Sequence, residues 1–341
     1  MNVHYWSSRV SRKYAFVIVA LLSVLSVAPA WSAPILTADG VTGGFTLSMF
    51  ANNFPITSSP CCGPLGIAFP TSGGVMVSDY GGNVRVFPTD TDGQNAASIP
   101  VAQNYGSGNG VGLAVAGGIV YMAEQSASQV VQLNNNGTLN QVIIGNPPGI
   151  SFATGIVANP ANGHLFVSDC CGGSGIWDVD PIAKTKTLFK GGSFDGLTIT
   201  PDGSTLYAEQ GGVIYGFKTS DGTQVFASPF INGADGTALG FGSLGGLIFV
   251  NTNFGDLFEV NLGTLGVTNL VTGGTRGDFV TADPNGSLLF TQTSDIWRLT
   301  PPSGGCIGNQ CTVTVPEPAT LALLGVAFAG MGWARRRKLT S

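Results

Sequence analysis

The sequence predicts an all-β fold, a six-bladed β-propeller of four-stranded blades whose ring is closed by an N-terminal strand. Composition is the first observation behind this. The 341 residues include 51 glycines and 19 prolines, with 43% hydrophobic and only 10% charged residues. That much glycine weakens helices by about 1 kcal/mol per residue. The hydrophobic content excludes a disordered chain, which needs low hydrophobicity and high charge. The second observation is a repeat. Copies beginning near Gly66, Gly112, Gly155, Gly196, Ala238 and Asp278 share one pattern: a short apolar strand, a turn, a stronger apolar strand ending in a polar pair, and a third strand. Their spacings are 46, 43, 41, 42 and 40 residues. A period near 40 built of short strands marks a propeller with one blade per repeat; the coils of a β-helix are shorter and need no closing strand. The third observation is a missing strand. The sixth copy stops near Leu299, before Pro301-Pro302, one strand short. Residues 44–51 (GFTLSMFA) alternate as a strand should and are placed as the outer strand of the last blade, which removes the exposed edges.

The chain divides into four parts. Residues 1–32 read as a secretory signal: a basic start, the apolar run 14–27, then the small residues of APAWSAP, with cleavage after Ala30 or Ser32. The propeller is expected over 33–300, and a linker holding Cys306 and Cys311 over 301–314. The last part, 315–341, holds an apolar segment at 319–334 and a basic end at 335–338. As a helix that segment spans about 24 Å, short of a hydrocarbon core of about 30 Å, and its cations hold that end on the cytoplasmic side.

The ends also distort the net charge of −5. Arg9, Arg12, Lys13 and the four cations at 335–338 are seven of the 14 basic residues, and Glu317 is one of 19 acidic ones. The body therefore carries 7 basic and 18 acidic residues, near −11. Such a body has no footprint for a phosphate backbone, which excludes nucleic acid as a partner.

Chemistry in the body is bounded by inventory. His164 is its single histidine, in the turn Asn-Gly-His-Leu, so a His-rich zinc site is excluded and a Ser–His–Asp triad would have to use it. No P-loop appears, and Gly-rich stretches such as 106–112 lack the following helix of a dinucleotide cradle. No catalytic residue is singled out. In a propeller the second strand of each blade returns to the face where the innermost strand began. The second strands end at Asp79, Glu124-Gln125, Asp169, Glu209-Gln210, Asn251 and Gln292, and Asp195 opens onto the same face. These oxygens, with no Lys or Arg beside them, suit a hard divalent cation such as Ca²⁺ held by Asp79, Glu124, Asp169, Asp195, Glu209 and Asn251. The alternative is that they cap strand ends. Tyr80, Tyr105, Phe194 and Phe241 fall on loops or strand starts, where rings serve either carbohydrate stacking or packing between blades.

The six cysteines are an even count, as disulfides in an exported protein require. Cys306 and Cys311 enclose four residues and are expected to pair. Cys61-Cys62 and Cys170-Cys171 lie on one face, as two vicinal bridges or a link across the funnel.

Two resemblances extend this reading. Pro316-Glu317-Pro318, the apolar segment and Arg335-Arg336-Arg337 at the extreme terminus resemble a PEP-CTERM sorting signal. The resemblance implies a bacterium with a two-membrane envelope, Sec-type export, transient inner-membrane association, cleavage by an exosortase, and a link to exopolysaccharide. Leu65-Gly66-Ile67-Ala68 with Val77-Ser78-Asp79, and Asp195-Gly196-Leu197 with Pro201-Asp202-Gly203 and Leu206-Tyr207, resemble the NHL and gluconolactonase-like (senescence marker protein) propellers. That family holds a metal with an early Glu, an Asn and an Asp. Only Asp195 matches: residues 34–78 contain no Glu, and Val111, Thr154 and Thr237 stand where the Asn would. The expected function is a non-enzymatic binding or matrix propeller in the periplasm, on the outer surface or in the extracellular matrix. It would engage polysaccharide or a surface protein through the channel face. The alternative is a metal-dependent lactone or ester hydrolase at that face.

Overall fold

A computed structural model describes residues 33–56, 62–105 and 110–308. The expected signal peptide at 1–32, the sorting segment at 315–341, Cys61 and Cys311 lie outside the described residues. The chain forms six antiparallel sheets of four principal strands, each laid down from the inside outward. Blade 1 runs Pro64–Ala68, Val75–Asp79, Asn83–Phe87, Val101–Asn104; blade 2 runs Gly110–Ala116, Ile119–Glu124, Gln129–Leu133, Leu139–Ile144. Blade 3 is Ala153–Ala158, Leu165–Asp169, Gly175–Asp180, Thr185–Gly191, and blade 4 is Leu197–Ile199, Thr205–Gln210, Val213–Lys218, Gln224–Ala227. Blade 5 is Ala234–Gly242, Leu247–Thr252, Leu257–Asn261, Val267–Thr272. Blade 6 contributes Val280–Ala282, Leu288–Thr291 and Ile296–Thr300 in sequence, and its fourth strand is Thr46–Asn52 from the start of the chain. The expected closure is thus observed, with Thr46 opposite Thr300 and Ser48 opposite Arg298.

The core is divided among the gaps between blades. One apolar cluster fills each of the six: Val130, Ile150, Ile156 and Leu165 lie between blades 2 and 3, and Tyr207, Ile214, Ile248 and Val250 between blades 4 and 5. The gap that closes the ring holds Phe50 and Phe54 from the N-terminal segment against Ile67, Val75 and Phe87 of blade 1 and Leu289 and Ile296 of blade 6. Phe50 and Phe87 meet edge to face at 5.4 Å, a geometry that adds about 0.5–1.5 kcal/mol beyond burial.

Polar contacts reinforce this seam. Arg298 of blade 6 is buried, and its guanidinium binds Asp90 at 2.6 Å, Asp92 at 2.8 Å and also Asp283. Asp90 and Asp92 belong to the blade 1 segment that then pairs Gln94–Asn95 with Ala51–Asn52. Burial pushes the Asp283 carboxyl up to about 6, held back by bonds from the Asn285 amide and Arg298. Burial works against the Arg298 charge, but the hydrogen bonds it donates to the three aspartates raise its pKa.

The segment expected as a linker is partly built into the propeller. Gly305–Ile307 pairs antiparallel with Gly240–Gly242, and Gly308 donates its amide to Leu239 at 2.8 Å. At the base, Gly308, Phe69, Val115, Ala158 and Ala282 line a channel cavity of about 200 Å³. Among the described residues no helix is long and apolar enough to cross a membrane.

The inner strands approach one another at a ring of glycines. A Cβ at Gly112 would lie 2.6 Å from the Thr154 carbonyl of the next blade, one at Gly236 2.6 Å from the Asp278 carbonyl, and one at Gly196 would strike the Asp235 carbonyl. Gly196→Ala should therefore destabilise the protein by about 1–3 kcal/mol in urea unfolding, the usual effect of overpacking. Gly191→Ala, where a Cβ meets nothing within 4 Å, should be near neutral; equal effects would remove the close-approach argument. Arg298→Ala, which leaves the buried Asp283 carboxylate unpaired, should cost about 3–5 kcal/mol. A loss under 1 kcal/mol would show that the seam does not depend on this network.

Candidate functional site

In blades 1 and 3 the polar pair that ends the second strand, Ser78-Asp79 and Ser168-Asp169, has two architectural duties, and in blades 2 and 4 Glu124 and Glu209, preceded by alanine, keep only that of Asp79 and Asp169. The pair's second member caps the turn that follows. Asp79 accepts from the Asn83 amide at 2.9 Å, Glu124 from Ala127 at 2.9 Å, Asp169 from Ser174 at 3.1 Å, and Glu209 from Gly212 at 2.6 Å. Its first member reaches across to the next blade. Ser78 Oγ donates to the Val111 carbonyl at 2.7 Å and Ser168 Oγ to the Asp195 carbonyl at 2.7 Å. Strand register places Thr252 opposite Ala234 as Asp79 is opposite Pro64, so Asn251 occupies the Ser78 position rather than the Asp79 position. It behaves accordingly: its Nδ2 donates to Thr291 and, at 3.4 Å, to the Asp278 carbonyl of blade 6. Thr252 accepts from the Asp256 amide at 3.1 Å and caps the turn in the place of the acid.

The six residues expected as a cation site are therefore separate pieces of blade architecture. Among the described residues there is no group of three or more His, Cys, Asp or Glu side chains that could hold a metal ion. The expectation that no cation stands beside these acids is corrected too. Arg85 pairs with Asp79 at 2.5 Å because both side chains are buried in blade 1, where an unpaired charge would be costly. His164, at the opposite end of its blade, binds Asp178 through Nδ1 at 2.8 Å.

What remains is the position just ahead of the inner-strand glycine. Around the channel mouth it is filled by Leu65, Val111, Thr154, Asp195, Asp235 and, in blade 6, Asp278. Half of the mouth is apolar: Leu65, Val111, Cys62 and Phe279 form one buried cluster with Tyr80 packed on it. The other half is acidic, three consecutive blades each contributing an aspartate. Arg276 stands among them and pairs with Asp278 at 2.7 Å. Asp195 is half-buried, but its Oδ1 is buried without a hydrogen-bond partner; Asp235 is 4% exposed, and its Oδ1 is likewise unpaired. Thr237, two residues farther along the same strand, lines the channel with a buried, unpartnered Oγ1.

The electrostatics follow from this crowding. Burial, then repulsion from Glu209 and Asp278, pushes the Asp195 carboxyl up to about 7, against the pull of Arg276. Asp235 lies well above the usual carboxylate range, through burial and then the charges of Asp195, Asp278 and Glu209. Burial raises Asp278 as well, with Arg276 opposing, and it lifts Glu209 to about 7 against the bond from Gly212.

Asp235 escapes the repeat as counted from the sequence, and Asp278, counted there as the head of the sixth copy, stands one place ahead of the glycine position. The inner strand of blade 5 begins at Ala234 and carries a register irregularity between Ala234 and Thr237. Its glycine is thus Gly236, not a residue beside Ala238, and Asp235, not Thr237, is the counterpart of Asp195. The signal was the parallel between Phe194-Asp195-Gly196 and Ala234-Asp235-Gly236.

The rings on this face also sort differently. Phe194 is buried edge-on to Phe217, Phe241 packs between blades 4 and 5, and Tyr105 between blades 1 and 2. Among the described residues Phe152, Phe230 and Phe254 are the rings left exposed. Cys170 and Cys171 are bonded to each other rather than across the funnel; Cys62 and Cys306 are disulfide-bonded as well.

These features define a six-bladed propeller with a two-sided channel mouth, and comparison with known proteins agrees on the class. Residues 314–338 match the PEP-CTERM protein-sorting motif. The chain is thus that of an exported protein, anchored in the membrane before processing by an exosortase. Solved propellers share the fold. A gluconolactonase from Xanthomonas campestris superposes with TM-score 0.59 at 16% identity over 79% of this chain and 95% of its own. A putative oxidoreductase (glucose dehydrogenase) from Thermus thermophilus gives 0.57 at 17% identity, over 75% and 100%. A carbohydrate-active enzyme of family AA12 from Trichoderma reesei gives 0.59 at 13%, over 80% and 98%. A comparison with curated protein sequences finds no match.

The raised carboxyls give a pH signature. Asp195 and Glu209 keep protons in the folded state that their unfolded forms, with ordinary values near 4, release. Native protein then binds more protons than unfolded protein between about pH 4 and 7, so this contribution to stability falls as pH rises through that window. Urea unfolding across the window should show the decline, and Asp195→Asn should flatten it. A slope unchanged by the substitution would place the titrating groups elsewhere.

Proposed function

We propose that this protein is a non-enzymatic binding propeller of the cell surface or extracellular matrix of a two-membrane bacterium. Released from its membrane anchor by the exosortase, it would engage a polysaccharide or surface-protein ligand through the channel face. The supporting observation is Arg276. Its guanidinium stands among Asp195, Asp235 and Asp278 and supplies the positive charge that a metal ion would bring to three carboxylates. The remaining acids of the face are engaged in turns. A mouth built this way offers one apolar wall and one hydrogen-bonding wall to a ligand, and among the described residues it gathers neither a cluster of metal ligands nor a histidine base. His164 is tied to Asp178 in blade 3, away from the mouth.

The alternative, a metal-dependent lactone or ester hydrolase, draws on Asp195 in its Asp-Gly-Leu setting and makes the opposite prediction. Thermal melts of the purified protein in chelator and in added Ca²⁺, Mn²⁺ or Zn²⁺ should coincide. A cation at 100 times its dissociation constant would stabilise the fold by about 2.7 kcal/mol and raise the midpoint by several degrees. A metal-specific rise together with lactone hydrolysis that is lost in Asp195→Ala would overturn the binding reading in favour of the hydrolase.

A further inference from the structure

The acidic mouth runs directly into a second feature of the same face. The loop that leads into Asp235 carries Phe230, Ile231 and Asn232, and the turn 253–256 of blade 5 lies over it, with the Asn253 amide bonded to the Gly233 carbonyl at 2.7 Å. Between them is a cleft of about 210 Å³ lined by Phe230, Asn232, Phe254, Asp256 and Val267 over a floor of Ile231. Phe230 is 68% exposed and Phe254 61%, more than any other phenylalanine among the described residues, most of which pack between blades.

Both rings are held rather than loose. Each lies against a glycine in the left-handed region: Phe230 against Gly212 (φ +87°) and Phe254 against Gly233 (φ +68°). A Cβ at Gly212 would stand 2.5 Å from Phe230 Cε2, and one at Gly233 2.7 Å from Phe254 Cδ2. The missing side chains let each ring settle on backbone while it stays open to solvent. Two backed rings flanking a cleft with polar walls present flat apolar faces to a ligand that is itself flat, apolar on its faces and polar at its rim. A pyranose has that shape.

Charge narrows the sugar. Asp256 is half-buried, and its carboxylate has no ion pair among the described residues. Asn232 is exposed beside it, and the body as a whole is near −11. An anionic sugar would be repelled at this wall, whereas a sugar bearing an ammonium finds a carboxylate and two ring faces, the partners a cation seeks at short range. We propose that the cleft between Phe230 and Phe254 is a subsite for a hexosamine unit of a polysaccharide, with the pyranose against the rings and the ammonium at Asp256. The inference extends the binding reading to a site outside the channel, and so it can fail while that reading stands.

The test is titration calorimetry of the purified protein with chitosan tetramer, N-acetylchitotetraose, a neutral glucan oligomer and an alginate oligomer. The chitosan tetramer should bind in preference to the other three, and the binding should weaken with salt. Phe254→Ala should weaken it about tenfold or more, the loss of one stacking partner, while leaving the melting temperature unchanged, since the ring is exposed. Asp256→Asn should remove the preference for the amine over its N-acetyl form. Three results would overturn the proposal: equal binding of chitosan by the Phe254→Ala protein, which would mean diffuse attraction to an acidic surface; tighter binding of alginate or the neutral glucan; or a change of oligomeric state in Phe254→Ala by ultracentrifugation with chitosan binding intact, which would make the cleft a contact between copies. Chelator melts read the channel independently of all three.

Discussion

The close approach of neighbouring inner strands is the constraint on which the rest of this propeller depends. A β-carbon on Gly66, Gly112, Gly155, Gly196 or Gly236 would strike the carbonyl of the residue just ahead of the next blade's glycine position. Glycine at five of six equivalent places is therefore a requirement of the ring's radius. Phe279 takes the sixth place and closes the apolar side of the mouth with Leu65 and Val111. The contact also fixes the hydrogen bonding. The carbonyl that leaves no room for a β-carbon is the one bonded by Ser78 from blade 1 and by Ser168 from blade 3. Those hydroxyls in turn accept the glycine amides of their own blades at 3.0 and 2.8 Å. A single hydroxyl thus serves two strands of one blade and the first strand of the next, and buried backbone groups are left satisfied where the sheets splay.

A ring of sheets must still be joined at one seam, and here the seam is made of residues far apart in sequence. The strand Thr46–Asn52 completes blade 6, and its Phe50 fills the gap to blade 1. Arg298 takes hold of Asp90 and Asp92 from a segment some two hundred residues earlier. Local repeats need no such device, because each blade packs on its neighbour as the chain proceeds. The seam does, since closing it orders a long loop. That difference explains why the one buried arginine with three carboxylate partners lies there, with its guanidinium 5.6 Å from the Phe50 ring.

The same division decides how much could be read from the sequence. Period, blade count and closing strand were legible because each rests on local patterning: short apolar strands, turn residues, and a last copy one strand short. The polar pairs were legible as a pattern but not as a function. Asp79, Glu124 and Asp169 look like ligands in a list of strand ends, and only the turn amides they accept reveal them as caps. Asp235 was hidden for a geometric reason. A bulge at the head of the inner strand shifts register by a residue or two in blades 1, 2, 3 and 5, and a count along the chain cannot see which way. Asn251 was misplaced by one residue through the same effect, and one residue on a strand is the difference between facing a turn and facing the next blade.

Blade equivalence then shows where selection for a ligand would act. Most features of a blade are spoken for: the glycine in five of the six, the carbonyl ahead of it, the bridging hydroxyl where one is present, the turn cap and the apolar face toward the next blade. The side chain ahead of the glycine is not, and it varies most, from Leu65 and Val111 through Thr154 to three aspartates. Three acids placed together, two of them buried and the third half-buried, oppose folding above neutral pH, as the upward displacement of Asp195 and Asp235 shows. No packing requirement explains them, since leucine and valine fill the same position in blades 1 and 2. A cost confined to one half of one opening, beside exposed rings that packing also does not require, is the pattern expected when a surface is shaped by what it meets outside the molecule. The sorting motif marks the protein for export, beyond the membrane from which it is released.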